Sequence, residues 1–247
     1  MGRRGVLGGL VGCTACAAAL ASLASRAQAT GFNSIGGQGR LAPGIPAHCA
    51  LAAGFNPTSL RMMAESGNPR LDRAMIAELR KVLDAFDINP GIKYIDDSRS
   101  PNAFATTETI VQGTTGTMLF GLSLIQTEMN TEYGGAAVAG IAAHEGAHIF
   151  QFFSSYGRRL TQGRTAREME LHADLLAGWY FGHTGRTERS LVVFGRSLFS
   201  KGDYDYNDPR HHGTPDERLA AMRTGFAYNS RGYSLGRAAD AGVDYVT

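Results

Sequence analysis

Residues 141–153 read IAAHEGAHIFQFF, two histidines and a glutamate embedded in an otherwise apolar run. A run of that length and apolarity predicts a helix buried in a core. A core helix takes on imidazoles and a carboxylate only at a cost, unless they are paired or bind a metal. His144 and His148 are four residues apart, about one helical turn, so they point the same way. Two neutral imidazoles so placed can hold one Zn²⁺. Glu145, next to the first of them, is placed to act as a general base toward a water beside the ion. Gly134-Gly135 provides a loop into this helix and Gly157 a stop. The competing reading of the pentapeptide alone is a helix carrying two histidines and a solvated glutamate.

A third protein ligand is needed, and residues 168–179, EMELHADLLAGW, supply candidates. On a helix Glu170 and Asp174 share one face, with Ala173 and Ala177 on an adjacent face where a second helix can approach closely. Glu170 is then the expected third ligand, and Asp174 the acceptor for the second ring proton of a ligating histidine, His144 first among them. Two imidazoles and one carboxylate leave a fourth position open, as catalytic rather than structural zinc sites do. His172 is the rival ligand, off the Glu170/Asp174 face. Alternatively, Glu168, Glu170 and Asp174 form a solvated face with Arg164 and Arg167 as neighbours.

These two segments, H-E-G-A-H-I-F-Q and E-L-H-A-D-L-L-A-G, resemble the gluzincin zinc metallopeptidases, of the neutral zinc metallopeptidase type with HExxH followed by ExxxD. Residues 101–106, PNAFAT, resemble the family segment that forms a cleft-side edge strand. Residues 212–219, HGTPDERL, resemble its histidine-to-Glu-Arg segment near the C-terminus. The resemblance spans roughly residues 70–228 in the expected order. It implies that His144, His148 and Glu170 bind one zinc ion, that Glu145 is the base, and that Asp174 orients a ligand. It also implies that Asn102 and His212 lie near the substrate and stabilise an oxyanion, and that Arg218 is structural, pairing with an acidic residue behind the site. Three departures stand out. Gly146 and Ala147 replace a bulky residue and a glycine, Leu175 follows the Asp where Arg or Cys is usual, and Gly213 follows His212, which leaves His211 as an alternative.

Arg3-Arg4 followed by the uncharged residues 6–23 and by Ala27-Gln28-Ala29 reads as a signal peptide, residues 1–29. It is of the ordinary or the twin-arginine type, with a lipobox reading of Cys13 ranked below both. The expected location is therefore periplasmic or secreted, with no stable membrane insertion after cleavage. Cys13 and Cys16 leave with the signal, and Cys49 alone excludes an internal disulfide. The formal net charge of +2, without a basic patch interleaved with aromatics, gives no reason to expect nucleic acid as a partner.

The expected organisation is a Gly/Pro-rich leader over residues 30–57, a metallopeptidase domain over 58–228, and a tail over 229–247 without a strong pattern. Within the domain, helices are expected at 70–88, 191–199 and 215–226. Strands are expected at 92–95 and 103–111, and residues 117–129 form a helix or a strand running into one. Tyr204 and Tyr206 lie in a loop that could line the cleft. The expected fold is α+β: a mainly helical zincin-like domain with a small sheet edge beside the active-site helix. The expected function is hydrolysis of peptide or protein substrates, an extended peptide adding to the edge strand at 103–111. The alternatives are a non-catalytic zinc-binding interaction or quality-control protein, and a zinc hydrolase of a non-peptide amide.

Overall fold

The computed structural model describes residues 48–50, 61–161, 166–199 and 211–247. The signal segment, most of the leader, Tyr204 and Tyr206 lie outside the described residues. The strands are β1 (His48–Ala50), β2 (Met62–Met63), β3 (Gly91–Ile95), β4 (Ala103–Thr106) and β5 (Thr117–Gly121). The helices are α1 (Pro69–Phe86), α2 (Leu122–Met129), α3 (Gly134–Phe152), α4 (Tyr156–Leu160), α5 (Arg167–His183), α6 (Glu188–Phe199), α7 (Pro215–Ser230) and α8 (Leu235–Val246). The fold is α+β and mostly helical, as expected. No helix among the described residues is long and apolar enough to cross a membrane.

The sheet runs β1-β4-β5-β3-β2, with β3 and β5 parallel and the other pairs antiparallel. Its period-2 alternation feeds two clusters. Ala103, Ala105, Met118 and Phe120 join the main core, while Ile95, Phe104 and Leu119 form a smaller cluster of their own. Two strand expectations are corrected. The strand expected over residues 103–111 stops at Thr106, because side chains take over its hydrogen bonds. The Thr117 hydroxyl donates to the Glu108 carbonyl and accepts the Ile110 N–H. Nor is β4 an edge: β1, from the segment read as a leader, pairs with it, His48 opposite Thr106 and Ala50 opposite Phe104.

Local chemistry sets the remaining boundaries. The Asn68 side chain accepts the Arg70 and Leu71 N–H groups at the start of α1, where Pro69 needs no partner. Residues 117–129 are a strand running into a helix. Buried Asp97 accepts the Ser123 and Leu124 N–H groups at the start of α2 and the Asn102 N–H ahead of β4. One carboxylate thus caps a helix and fixes the loop entering β4.

α3 crosses the middle of the molecule, against α1, α5, α6 and the sheet, and α5 in turn packs along α7. The second pair is close because of glycine. A Cβ on Gly225 would stand 1.7 Å from the Leu175 carbonyl oxygen, and one on Gly178 2.0 Å from that of Met222. The patternless tail is also corrected. Ser234 accepts the Arg237 N–H and opens α8, which buries Ala238, Ala239, Val243 and Val246 in the main core. Those positions do have helical spacing, but three of the side chains on that face, Ala238, Ala239 and Gly242, are too small to mark it strongly.

Overpacking a core typically costs about 1–3 kcal/mol. Gly225→Ala, aimed at a backbone carbonyl that cannot swing aside, is expected at or above the top of that range. A fall in the urea midpoint with an unchanged slope checks it; a midpoint within error of wild type contradicts the close α5–α7 approach.

Candidate metal centre

α3 and α5 bring together the residues that the two motifs single out. His144 Nε2 and His148 Nε2 are 3.1 Å apart. Glu170 Oε2 lies 3.3 Å from the first and Glu170 Oε1 3.3 Å from the second. All three side chains are buried, and together they form a group able to hold a metal ion. Donors bound at about 2.0–2.1 Å around a tetrahedral ion stand about 3.3 Å from one another, so the spacing fits.

Proton placement makes the same point. His144 Nδ1 lies 2.9 Å from Asp174 Oδ1, and His148 Nδ1 lies 2.8 Å from Gln151 Oε1. A carboxylate or amide oxygen can only accept, so each Nδ1 carries the ring proton. With both imidazoles neutral, the Nε2 atoms present lone pairs toward each other and toward the Glu170 carboxylate. Acceptors converging in a dry site repel one another unless a cation stands between them.

The electrostatics follow. Burial depresses the His144 pKa, but the Asp174 and Glu170 carboxylates outweigh it and push it up to about 10 in the metal-free protein. The site therefore favours positive charge at His144, which a metal ion satisfies as well as a proton does. Burial also opposes ionisation of Glu170, yet His148, His144 and His212 hold it well below the usual carboxylate range. His148 is shifted down, by burial first.

Asp174 is shared. Its Oδ2 accepts Arg218 Nε at 2.7 Å, and its Oδ1, which faces His144, also accepts Arg218 Nη2 at 3.0 Å. Arg218 is completely buried, and Nη2 is also 3.6 Å from Glu170 Oε2. The acidic partner that the resemblance implied for Arg218 is thus Asp174. The start of α7 is fastened beside it. Thr214 and Glu217 form a capping box, and Glu217 Oε1 accepts Arg167 Nη2 of α5 at 2.7 Å.

Glu145 is fully buried, and no side chain donates a hydrogen bond to its carboxylate oxygens. Burial pushes its pKa up to about 8, with Glu170 adding to the rise and His144, Arg218 and the Ala105 backbone on β4 opposing it. Gly146 lets α1 approach: a Cβ there would stand 2.5 Å from Val82 Cγ1.

The other expected site residues fall as follows. His212 is buried and close enough for its charge to act on Glu170, and His211 is buried beside it. Asn102 is buried at the entry to β4, where its Oδ1 accepts the Ala103 N–H and its carbonyl accepts the Gly121 N–H. His172 is not in the metal group. It lies between Gln151 and the Ala239 carbonyl, with Tyr156 stacked on it. Gln151, the last residue of the first motif, is a functional candidate that the motif spacing does not single out. The signal that marks it is a polar side chain one turn after His148 in an apolar run. No family model, curated protein or solved structure matches this chain.

The Glu145 shift has a measurable consequence in the metal-free protein. Its folded pKa, about 8, exceeds the ordinary value of 4.5. The stability associated with its neutral form is complete below that ordinary value and is lost as pH rises through about 8. Glu145→Gln has no charge to lose, so its melting temperature should exceed that of wild type increasingly from about pH 5 and level off above about pH 8. Thermal unfolding in chelator across pH 4–9 checks this; a gap that does not change with pH contradicts the buried carboxyl.

Proposed function

We propose that this chain is an exported zinc-dependent peptidase in which Glu145 is the general base. The observation carrying this reading is the convergence of His144, His148 and Glu170 with Glu145 as the adjacent residue on the same buried helix. Two imidazoles and one carboxylate suit zinc and leave a fourth coordination position. Zinc held there would acidify water and polarise a carbonyl. Glu145 takes the proton of the attacking water and gives it to the leaving nitrogen. Its burial raises its basicity for the first transfer, which leaves it neutral, and giving the proton to the leaving nitrogen restores the carboxylate. Asp174 keeps the His144 ring oriented, and Arg218 keeps Asp174 charged and in place. Asn102 and His212 are the proposed oxyanion-side groups. Because β1 covers the outer edge of β4, a peptide joins the sheet at β4 only by replacing β1.

A second reading, a zinc-holding protein without turnover, is favoured by one observation: His144, Glu145, His148 and Glu170 are all 0 % exposed. Under the peptidase reading a covering segment must move to admit substrate.

Incubating the zinc-loaded chain and its Glu145→Gln form with a degenerate peptide library separates the two. The peptidase reading predicts cleavage by wild type and a loss of at least about 100-fold in the variant, the scale of a removed general base. Equal zinc content with no cleavage by either form contradicts it and favours the second reading.

A further inference from the structure

We infer that Gln151 is a positioning residue for His148, and that it wires the C-terminal helix α8 to the metal centre through His172. This rests on reading His144, His148 and Glu170 as a metal centre, but its geometry is independent of any ion.

Gln151 is fully buried on α3, one turn beyond His148. Its amide has three neighbours. Nε2 is 2.9 Å from the Met169 carbonyl oxygen and 2.9 Å from His172 Nδ1, while Oε1 is 2.8 Å from His148 Nδ1. The Met169 carbonyl can only accept, so the amide NH₂ must face it; the flipped amide would set oxygen against oxygen. That single contact assigns the rest. Oε1 faces His148 and accepts its Nδ1–H, which leaves His148 Nε2 bare toward His144 and Glu170. The second amide N–H goes to His172 Nδ1, which is therefore unprotonated. His172 Nε2–H then donates to the Ala239 carbonyl of α8 at 3.0 Å. Two backbone carbonyls, Met169 on α5 and Ala239 on α8, thus set the tautomers of two histidines, and each polar atom from His148 Nδ1 to the Ala239 carbonyl has a partner.

His172 is clamped as well as bonded. Tyr156 stacks on it with ring centroids 5.7 Å apart, and α8 approaches so closely that a Cβ on Gly242 would stand 2.9 Å from His172 Cδ2. The two ligating histidines are therefore oriented by different chemistry. His144 faces a carboxylate fixed by Arg218, and His148 a neutral amide fixed by main chain. Neutral support leaves His148 the less electron-rich ligand and makes its ring angle, rather than its charge, the property that Gln151 controls.

Nitrogen-15 NMR of the full chain, with and without zinc, reads the tautomers directly, the signals being assigned by their loss in His148→Asn and His172→Phe. The expected result is His148 protonated on Nδ1 and His172 on Nε2 in both states. Zinc affinity by chelator competition should fall about 10- to 100-fold in Gln151→Met, as for other outer supports of a ligating histidine. It should also fall in Gly242→Ala, which pushes on His172 from α8, with circular dichroism unchanged in both. His148 protonated on Nε2, or Gln151→Met binding zinc as tightly as wild type, would overturn the inference. If wild type itself binds no zinc, the metal reading fails separately, and the tautomers of the metal-free chain still decide whether the relay exists.

Discussion

Two imidazole nitrogens and a carboxylate, brought together in a dry core where a proton or a cation must sit among them, are the constraint on which the rest of this structure depends. His144 Nε2, His148 Nε2 and the Glu170 carboxylate approach to within 3.1–3.3 Å of one another. Without a proton or a cation among them such an arrangement is repulsive, and the low dielectric around it makes the repulsion larger. It persists because each group is held from outside. Asp174 and Arg218 hold His144, Gln151 holds His148, and Arg218 lies beside Glu170 as a permanent positive charge. Burying Arg218 is itself unfavourable without compensation, and the paired contacts to Asp174 supply it.

Those supports explain the architecture around the site. α7 delivers Arg218, and the capping box with the Glu217–Arg167 pair fixes where α7 begins relative to α5. The glycines between α5 and α7 allow the approach that lets a guanidinium reach across to Asp174. The sheet contributes from the other side, where the backbone of Ala105 on β4 lies near Glu145. A single pair of helices could bring the three groups together, but holding their protons and angles requires α7 and α8 as well.

The centre was legible in the sequence because a four-residue spacing and a second four-residue spacing are facts about helix faces. His144, His148, Glu170 and Asp174 could be placed from them, and Arg218 only from the resemblance of residues 212–219 to a family segment. What escaped was fixed by contacts distant in sequence. Gln151 gains its meaning only from Met169 and His172, and His172 from Ala239. α8 was missed because Ala and Gly mark a buried face too faintly. The strand expected through residue 111 ended early because two threonine hydroxyls replaced its ladder, and its expected free edge was taken by β1. Neither the hydroxyl capture nor the pairing partner leaves a periodic trace.

The central claim is that His144, His148 and Glu170 hold one metal ion. Zinc-edge X-ray absorption of the chain loaded with one equivalent of zinc tests it most directly. The account predicts a four-coordinate ion with two imidazoles and oxygen donors at about 2.0–2.2 Å, and no sulfur. The same spectrum should be lost in Glu170→Ala. A sulfur shell at about 2.3 Å, a spectrum unchanged by Glu170→Ala, or zinc that washes off the wild-type chain would contradict it.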